Sequence, residues 1–522
     1  MIRRQKERGF LSDDDLRALA EELRVPLYRL EGLASFYPHF RRTPPARATI
    51  AVCRDLSCHL RLGAGGGAGL ADRVRAALGE RDDVEVREVS CIGRCDAAPA
   101  ALVNEIPVGP VEPAGLASMA TDPARIPAPA DSAPRRFGFD PYQSDGDRYG
   151  ALRVFADGAV LVTALKDAGL RGMGGAGFPT GTKWDLVRKE AATPKYVICN
   201  ADESEPGTFK DREVLRHASH LVIEGMALAA RVVGAARGIV YLRHEYGPEE
   251  EALERALHDA RARGALGDPF DVEVFVSPGG YILGEETALL EALEDRRGEP
   301  RNKPPFPGQK GLFGQPTLIN NVETFAMVPA IALRGADWWK AEGVRGCPGR
   351  KLVAVSGHVA APGVYEVPMG TTVGELLALA GGMQQGRRLL AFAPGGASSN
   401  FLPADKLDVP LDFKALADAG SMLGSGAVVY VAEGTNLLDV ARNVTAFFRN
   451  ESCGKCVPCR VGSEKGVAIL DDATAGGGSR SGLALLSDLN ETLAKTSICG
   501  LGQVALGPAL SLIRNFPREI EP

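Results

Sequence analysis

The chain has 522 residues, a length that predicts about three or four domains and material for several hydrophobic cores. It carries 60 Lys and Arg against 66 Asp and Glu, a formal charge of −6. No segment of the sequence concentrates basic residues together with aromatic ones. These features exclude nucleic acid and anionic membranes as expected partners.

The chain begins with a charged segment, Met1–Arg8, and not with the apolar stretch of a secretory signal. The most apolar long window, Leu221–Leu242, is interrupted by Glu224, Arg231 and Arg237, so no direct membrane insertion is expected. We therefore expect a cytoplasmic protein. In a reducing compartment the ten cysteines are more readily explained as metal ligands or redox groups than as disulfides.

The first part of the chain predicts a small α/β unit. Ser12 is a typical N-cap for one short helix and Pro26 begins a second. Apolar runs then predict strands at Ala48–Cys53 and Val84–Val89, with a helix at Leu70–Leu78 between them. The proline- and alanine-rich stretch Pro107–Pro141 shows no periodicity long enough for an element, so a domain boundary is placed there.

Alternating strand and helix patterns after the boundary predict a larger α/β sheet domain. A strand, turn, strand and helix pattern from Lys351 predicts a β-grasp-like domain, and the chain ends in amphipathic helices. The resulting multidomain α/β architecture has these expected parts: a helical segment (1–45), a small α/β domain (46–122), a linker (123–150), a large α/β domain (151–340), a β-grasp-like, soluble-ligand-binding domain (341–433) and a helical bundle (434–522).

Four cysteines of the last region have the spacing of a cluster site. Cys453, Cys456 and Cys459 form a C-x2-C-x2-C run, and Cys499 follows at a distance. Three closely spaced thiolates with a remote fourth are typical of a [4Fe-4S] cluster. Zinc is the alternative, although zinc sites more often use two separated pairs.

Four more cysteines lie in the first α/β unit. Cys53 and Cys58 form one pair and Cys91 and Cys95 another, both at strand ends. Two pairs of thiolates suit a [2Fe-2S] cluster, while zinc or redox dithiols remain alternatives. Two further cysteines, Cys199 and Cys347, are expected to have no role in a site.

A glycine-rich run, GLRGMGGAGFPTGTKW, occupies Gly169–Trp184. Backbone amides of such a loop approach phosphates closely, and Lys183 supplies a positive charge. The run is neither a Walker A motif nor a dinucleotide-fold fingerprint, so glycine content alone leaves a simple tight loop as the alternative.

Three other polar clusters belong to the same domain. The segment CNADESEPGTFKDR places several carboxylates after a strand, GEETALL opens a helix with two glutamates, and KPPFP and INNVET add a lysine and asparagines. Each cluster alone could be a solvated turn. Together they predict one large shared ligand. Hydrolysis is not expected, because GxSxG and HExxH motifs are absent and His244 and His358 are interpreted as ordinary hydrogen-bonded residues.

These motifs, together with ESCGKCVPCRVG and SICGLG, occur in the order found in a known family. Residues Leu152–Phe516 resemble the flavin-bearing, NADH-oxidising subunit of respiratory complex I and its relatives in NAD-reducing hydrogenases and NAD-dependent formate dehydrogenases. The first region, with FYPHF and four cysteines, is similar to the thioredoxin-like [2Fe-2S] subunit, here shortened and fused in front. The resemblance implies FMN, NAD(H), one [4Fe-4S] cluster and one [2Fe-2S] cluster.

The resemblance also implies site residues. FMN and dinucleotide phosphates would be held by Gly172, Gly174, Gly175 and Lys183, and the FMN ribityl chain and phosphate by Asn200, Asp202, Asn320 and Asn321. The adenine of NADH would stack on Phe178 and Phe306. The nicotinamide and ribose pocket would be lined by Glu203, Glu205, Tyr281, Glu285, Glu286 and Lys303, and Gly284 and Thr324 complete the set.

The sequence departs from the complex I pattern at two positions. Met173 stands where arginine is common, and Leu283 stands where cysteine is common. The arginine and the cysteine of the common pattern are therefore not essential for binding flavin. The implied mechanism is hydride exchange between nicotinamide and flavin, then one-electron transfer to the [4Fe-4S] cluster, with no catalytic side chain required.

The chain has no recognisable ligand set for molybdopterin, nickel-iron or quinone sites, so a partner subunit must complete the reaction. The fused first domain and ICGLGQ are most similar to β (diaphorase) subunits of molybdenum- or tungsten-dependent formate dehydrogenases. This implies a catalytic α subunit with molybdopterin and iron-sulfur clusters. The alternatives are a hydrogenase diaphorase subunit, a complex I-like module and a non-catalytic zinc-bearing scaffold.

Overall fold

The computed structural model describes residues 1–63, 66–127, 134–155, 157–475 and 480–520. Residues 128–133 of the predicted linker lie outside this described part. The described chain contains three β-sheets of four, five and four strands and a group of helices at its end. The predicted α/β multidomain architecture is confirmed.

The first region begins with three short helices and continues into a four-stranded sheet. Ser12 caps the second helix, since its side chain accepts a hydrogen bond from the amide of Asp15 at 3.1 Å, as its sequence pattern predicts. The sheet has the order β2-β1-β3-β4, with β1 parallel to β2 and antiparallel to β3. The elements are α1 (Ile2–Arg8), α2 (Asp13–Leu23), α3 (Leu27–Phe36), β1 (Ala48–Cys53), α4 (Leu56–Leu62), α5 (Gly66–Leu78), β2 (Val84–Val89), β3 (Ala101–Val103), β4 (Ile106–Val108) and α6 (Pro113–Thr121).

The expectation that Pro107–Pro141 forms no element is wrong at its beginning. Strand β4 and helix α6 both lie there and complete the small α/β unit. Pro113 occupies the first turn of α6, where its missing N–H costs no hydrogen bond. Leu116 and Ala120 are buried against β1 and β3, so tertiary packing stabilises a helix too short to show a clear period.

The second region is a sheet of four parallel strands in the order β7-β6-β5-β8, flanked by helices. In a parallel sheet the carboxyl ends of all strands meet at one edge, which is where such folds bind ligands. Its elements are α7 (Gly150–Val154), α8 (Gly158–Ala168), α9 (Thr180–Lys189), β5 (Lys195–Ala201), α10 (Lys210–Val233), β6 (Ala235–Leu242), α11 (Gly247–Ala262), β7 (Asp271–Val276), α12 (Glu286–Leu293), α13 (Pro307–Lys310), β8 (Thr317–Asn321), α14 (Val322–Arg334) and α15 (Ala336–Ala341).

The third region is a mixed five-stranded sheet in the order β10-β9-β13-β11-β12, in which only β13 and β9 pair in parallel. The predicted strand, turn, strand and helix are present at its start. Its elements are β9 (Arg350–Gly357), β10 (Gly363–Pro368), α16 (Val373–Leu379), β11 (Leu389–Ala393), β12 (Leu402–Pro403), α17 (Phe413–Asp418) and β13 (Ala427–Ala432).

The last region is helical, as predicted. The apolar stripe of its first helix, from Leu437 to Phe448, is buried against the rest of the bundle. Within the described residues no helix is both long and apolar enough to cross a bilayer. The helices are α18 (Leu437–Asn450), α19 (Val457–Thr474), α20 (Arg480–Thr496), α21 (Gly500–Val504), α22 (Gly507–Asn515) and α23 (Pro517–Ile520).

A buried network of charges joins the second region to the third. Glu323, at the start of α14, pairs with Lys210 at 2.8 Å and with Lys351 of β9. Its other oxygen accepts a hydrogen bond from the amide of Leu352 at 2.7 Å. Lys210 also pairs with Asp211 at 2.6 Å. Because all four charged residues are buried, each depends on its partners for compensation.

Helices α10 and α14 cross closely in the core of the second region. At the crossing, a Cβ atom on Gly225 would overlap the backbone carbonyl of Phe325. Both helices are buried along most of their length, so neither can move away without opening the core.

We therefore predict that Gly225→Ala lowers the free energy of unfolding by about 1–3 kcal/mol or more, as overpacked core substitutions do. Gly115→Ala is the matched control, because Gly115 lies in helix α6 and a Cβ there meets nothing within 4 Å. The control should leave stability unchanged or raise it by about 0.5–1 kcal/mol. Thermal unfolding of both variants checks this, and equal melting temperatures would contradict the proposed close crossing.

Candidate functional site

The glycine-rich run forms a loop closed at its base by the backbone. Gly172 N–H donates to the carbonyl of Phe178 at 2.9 Å, and Thr180 N–H donates to the carbonyl of Leu170 at 2.8 Å. Helix α9 begins at Thr180, directly after the loop. The loop is therefore fixed at its ends, and its intervening amides lie just before a helix N-terminus, the usual position for binding phosphate.

The loop packs onto the end of β8. Met173 N–H donates to Oγ1 of Thr324 at 2.9 Å. A Cβ on Gly174 would lie 2.9 Å from Cβ of Asn321, too close for a larger residue without movement. Glycine at position 174 therefore lets the loop lie directly against Asn321 at the end of β8.

Two side chains of α9 also reach the end of β8. Lys183 Nζ donates to the carbonyl of Ile319 at 2.8 Å and lies 3.4 Å from Glu286. The indole N–H of Trp184 donates to Oδ1 of Asn320 at 3.0 Å. Two of the predicted clusters, the glycine-rich loop and INNVET, thus meet at one edge of the sheet.

The acidic segment follows β5, the strand beside β8, and joins the same edge. Asn200 donates to the carbonyl of Gly284 at 2.8 Å, which connects it to the segment preceding α12. Glu205 accepts hydrogen bonds from the hydroxyl of Tyr281 and from the amide of Ser398, both at 2.7 Å. All the predicted polar clusters of this domain therefore lie together, although they are far apart in the chain.

Glu203 has a different environment from its neighbours. Its carboxylate accepts hydrogen bonds from the amides of Asp211 and Arg212, at 2.9 and 3.1 Å, in the first turn of α10. The hydroxyl of Tyr246 donates to it at 2.9 Å. Because protein groups already bind this carboxylate, its side chain anchors the turn against the helix.

Burial sets the protonation of the acidic turn. It raises the pKa of each of three carboxyl groups, those of Asp202, Glu203 and Glu205, to about 7. Hydrogen bonds from Ser204 to Asp202 and from Tyr281 to Glu205 work against the rise. The turn consequently gains or loses negative charge near neutral pH.

A lysine balances the two glutamates at the start of α12. Lys303 Nζ lies 2.8 Å from Glu285 and 2.9 Å from Glu286. Burial opposes ionisation of Lys303 and of Glu286, but opposite charges prevail: the glutamates raise the pKa of Lys303, and Lys183 and Lys303 lower that of Glu286. Glu285 also caps α12 through the amides of Thr287 and Ala288, both at 2.9 Å.

The predicted stacking residues are exposed aromatics. Phe178 is 47% exposed and Phe306 is 55% exposed, so both rings are accessible to a ligand. The two departures from the complex I pattern, Met173 and Leu283, are buried apolar side chains. Their positions are filled by packing rather than by a polar or thiol group.

Four cysteines of the last region line one small cavity. Cys453, Cys456, Cys459 and Cys499 share it with apolar side chains that include Ile282 and Leu501. Cys456 and Cys499 stand at the starts of α19 and α21. Ser452 and Lys455 also border this cavity. Four thiols lining one small, largely apolar cavity fit a cubane iron-sulfur cluster.

The other four predicted ligands form a second cluster of thiols. All four are buried and unbridged by disulfides. The neighbouring thiols of Cys58 and Cys91, together with burial, raise the pKa of Cys53, and the sulfur atoms of Cys91 and Cys95 are 3.4 Å apart. This contiguous set fits a [2Fe-2S] centre. Cys199 is buried in strand β5, and Cys347 lies apart from both sets in a loop of the third region.

Several polar residues of the site were not found from the sequence. Asp211 accepts a hydrogen bond from Asn321, and Ser277 donates one to Asp202 at 3.3 Å. Glu451 accepts hydrogen bonds from the hydroxyl of Ser90 and from the amide of Tyr281. Asp211 stands in the acidic motif, but the other contacts join segments with no shared sequence signal.

Four family models match the chain. They are the thioredoxin-like [2Fe-2S] ferredoxin at residues 1–122, the Nuo51 FMN-binding domain at 165–330, the SLBB domain at 352–400 and the NADH-ubiquinone oxidoreductase-F iron-sulfur binding region at 439–522. These families confirm the predicted types of cofactor, which are FMN with NAD(H), a [2Fe-2S] cluster and a [4Fe-4S] cluster. Iron-sulfur is thereby favoured over the zinc alternative.

Two curated relatives align with about 70% of the chain. The F subunit of NADH-quinone oxidoreductase from Mycobacterium bovis is 45% identical over 370 residues, 69% of this chain and 83% of the relative. The HndC subunit of NADP-reducing hydrogenase from Solidesulfovibrio fructosivorans is 43% identical over 371 residues, 70% of this chain and 76% of the relative.

A solved structure of NAD+-reducing [NiFe]-hydrogenase in the air-oxidized state matches almost the whole chain. Its TM-score is 0.88 at 35% identity, and the match covers 99% of this chain and 92% of that one. The chain therefore belongs to the family of NADH-oxidising flavoprotein subunits that includes the F subunit of NADH-quinone oxidoreductase and its counterparts in NAD-reducing hydrogenases.

Proposed function

We propose that the chain is the diaphorase subunit of a larger complex, exchanging hydride with NAD(H) at FMN and passing electrons through iron-sulfur clusters. The observation that supports it most strongly is the convergence of the glycine-rich loop with the ends of β5 and β8. The [4Fe-4S] cysteines lie close by, since Glu451, two residues before Cys453, binds the amide of Tyr281.

We assign the FMN side of this site to the loop and the strand ends. Amides of Gly172, Gly174 and Gly175 with the Lys183 ammonium would neutralise phosphate. The side chains of Asn200, Asp202, Asn320 and Asn321 would bind the ribityl chain and phosphate, and Thr324 holds the loop through Met173.

The NAD(H) side would use the accessible aromatics and the mixed charges beside them. Phe178 and Phe306 would stack on adenine, because both rings are exposed and accessible to a ligand. The remaining assigned residues would line the pocket of the ribose and nicotinamide, with Glu203 holding the turn in place rather than binding the ligand through its carboxylate. They are Glu203, Glu205, Tyr281, Gly284, Glu285, Glu286 and Lys303.

Bound FMN would supply the change from two-electron to one-electron chemistry. The protein residues position the participants, and no side chain is required as an acid or base for hydride transfer. Tyr281 is held firmly between the acidic turn and the helical region. Its hydroxyl donates to Glu205, and its ring packs edge-on against Phe447, with centroids 4.9 Å apart. Its neighbour Ile282 lines the cavity of the [4Fe-4S] cysteines. One short segment thus connects the acidic turn to that cluster.

For the partner we propose a formate-oxidising α subunit carrying molybdopterin with molybdenum or tungsten. The support is the resemblance of the fused first domain and of ICGLGQ, around Cys499, to formate dehydrogenase β subunits. A hydrogenase partner is the second candidate, because the hydrogenase structure matches the chain along 99% of its length. A complex I-like module is third, since the matched NADH-quinone oxidoreductase relatives align with only 69–73% of this chain.

Purification of the native complex without oxygen tests the partner. We expect molybdenum or tungsten in its largest subunit and formate-dependent reduction of NAD+. Nickel with hydrogen-dependent NAD+ reduction would overturn the formate proposal while leaving the diaphorase proposal intact. A complex with no flavin and no iron, containing zinc alone, would overturn both.

We further predict that the two groups of cysteines hold separate clusters. Cys499→Ser should remove the [4Fe-4S] EPR signal. Cys91→Ser should remove the [2Fe-2S] signal but leave NADH–ferricyanide activity, because we place the [2Fe-2S] centre off the main electron-transfer path from FMN to the [4Fe-4S] cluster. Cys347→Ser, away from both groups, is the matched control and should keep both signals. Loss of NADH–ferricyanide activity in Cys91→Ser would instead place the [2Fe-2S] centre on the main electron-transfer path.

The raised pKa of Glu205, about 7, predicts a pH dependence. The carboxyl is neutral below pH 7 and negative above it, so NADH, which carries a negative diphosphate, should bind more weakly as the pH rises. We expect the KM for NADH to increase on the order of five-fold from pH 6 to 8, equivalent to about 1 kcal/mol.

Glu205→Gln should make this pH dependence shallower, since its side chain does not ionise. Glu254→Gln, at an exposed position of α11, is the control and should keep the wild-type profile. Identical pH profiles for Glu205→Gln and the wild type would remove Glu205 from the nucleotide pocket.

A further inference from the structure

Two arginines of the FMN-binding domain reach across to the loop that carries Cys91 and Cys95. Both are buried, each with 3% exposure. Arg243, directly after β6, donates from Nη2 to the carbonyl of Cys91 at 2.7 Å. Arg212, in the first turn of α10, donates from Nη1 to the carbonyl of Gly93 at 2.6 Å. Main-chain atoms of the proposed [2Fe-2S] loop are therefore bound by cations of another domain.

The two arginines differ in how their charge is compensated. Arg212 forms a two-point ion pair with Asp96, at 2.8 and 3.2 Å, and this carboxylate belongs to the cysteine loop itself. Arg212 thus brings little net charge to the loop and serves mainly to position it. Arg243 has no carboxylate partner within the loop. Its nearest acidic partner is Glu245, which binds Nε at 2.9 Å from within the FMN-binding domain.

Arg243 also connects the loop to the nucleotide site. Its Nη1 donates to the carbonyl of Glu203, in the acidic turn. One guanidinium therefore touches the proposed [2Fe-2S] loop through Cys91 and the wall of the proposed NAD(H) pocket through Glu203. All of its donor nitrogens are used, so its position is fixed.

A buried cation beside a cluster affects the reduction potential of that cluster. A centre held by thiolates becomes more negative when it gains an electron, and a nearby positive charge or N–H donor stabilises the reduced form. The effect is strong at this place, because Arg243 and the cysteines of the loop are excluded from water. Glu245 limits the effect, since its negative charge lies beside the same guanidinium.

We propose that Arg243 is a positioning residue that raises the reduction potential of the [2Fe-2S] centre. Oxidation of NADH at the neighbouring site can then reduce this centre. This rests on the proposed assignment of the four cysteines of the first region to that centre. With both clusters bound, NADH would be the two-electron donor: one electron would reduce one ferric ion of the [2Fe-2S] centre to ferrous. The second electron would go to the [4Fe-4S] centre, and the proton of the hydride to solvent.

A redox titration of the purified complex followed by EPR tests the proposal. Arg243→Gln should shift the midpoint potential of the [2Fe-2S] signal to a more negative value, and excess NADH should then develop a smaller fraction of that signal. Glu245→Gln should shift the midpoint potential in the positive direction, because it removes the counter-charge of Arg243. Midpoint potentials that shift in opposite directions in the two variants are expected from electrostatics. A general loosening of the contact between the domains would not produce them.

Arg237→Gln is the matched control. Arg237 lies on the same strand, β6, but is exposed and pairs with Glu273 at 2.6 Å, so its removal should leave the potential unchanged. Arg243→Lys retains the charge and should keep most of the wild-type potential. Equal potentials in all variants, or shifts of the same sign in Arg243→Gln and Glu245→Gln, would overturn the role of Arg243.

The outcome is interpretable even where Arg243→Gln fails to assemble the centre. Glu245→Gln then decides, since a positive shift supports the role of Arg243 and an unchanged potential rejects it. Absence of any [2Fe-2S] signal in the unmodified complex would instead reject the assignment of the cysteines, and the inference with it. The [4Fe-4S] signal and the FMN content of each variant report that the rest of the protein is folded.

Discussion

The structure depends on one buried group of charges, formed by Glu323, Lys210, Lys351 and Asp211. Two cations and two anions compensate one another without water, and removing any one would leave a buried charge unpaired, which costs several kcal/mol. The network joins α10, α14 and β9, and so ties the FMN-binding domain to the SLBB domain. It also fixes Asp211, which binds the side chain of Asn321 at the end of β8.

The proposed cofactor site is built outward from that network. The glycine-rich loop lies on Asn321 and Thr324, and α9 follows the loop and contacts Asn320 through Trp184. The parallel sheet places the acidic turn beside them, because β5 and β8 are neighbours and end at the same edge. A site whose residues come from separate segments is thereby held in one geometry before any ligand binds, which reduces the entropy lost on binding.

The thioredoxin-like domain is integrated with the other domains. Ser57 hydrogen-bonds to Ser356 of the SLBB domain at 2.9 Å, and His59 pairs with Asp439 of the helical domain at 3.0 Å. His358 donates from Nε2 to the carbonyl of Leu60 at 3.0 Å and accepts at Nδ1 from the amide of Ala432, so it is an ordinary hydrogen-bonded histidine, as predicted. These contacts explain why the buried arginines Arg212 and Arg243 can meet the cysteine loop without exposure to solvent.

The sequence by itself determined the class of the protein, because the chemistry of clusters and phosphate sites requires particular residues at short, recognisable spacings. The cysteine groups, the glycine-rich run and the strands β1 and β2 could all be predicted from local patterns. Tertiary structure alone decided the extra helix α6 and the partners of the buried charges. Arg243 and Cys91 are 152 positions apart, and Glu451 and Ser90 are 361 apart. Such pairs leave no local pattern, since only the packing of domains brings them together and makes their hydrogen bonds necessary.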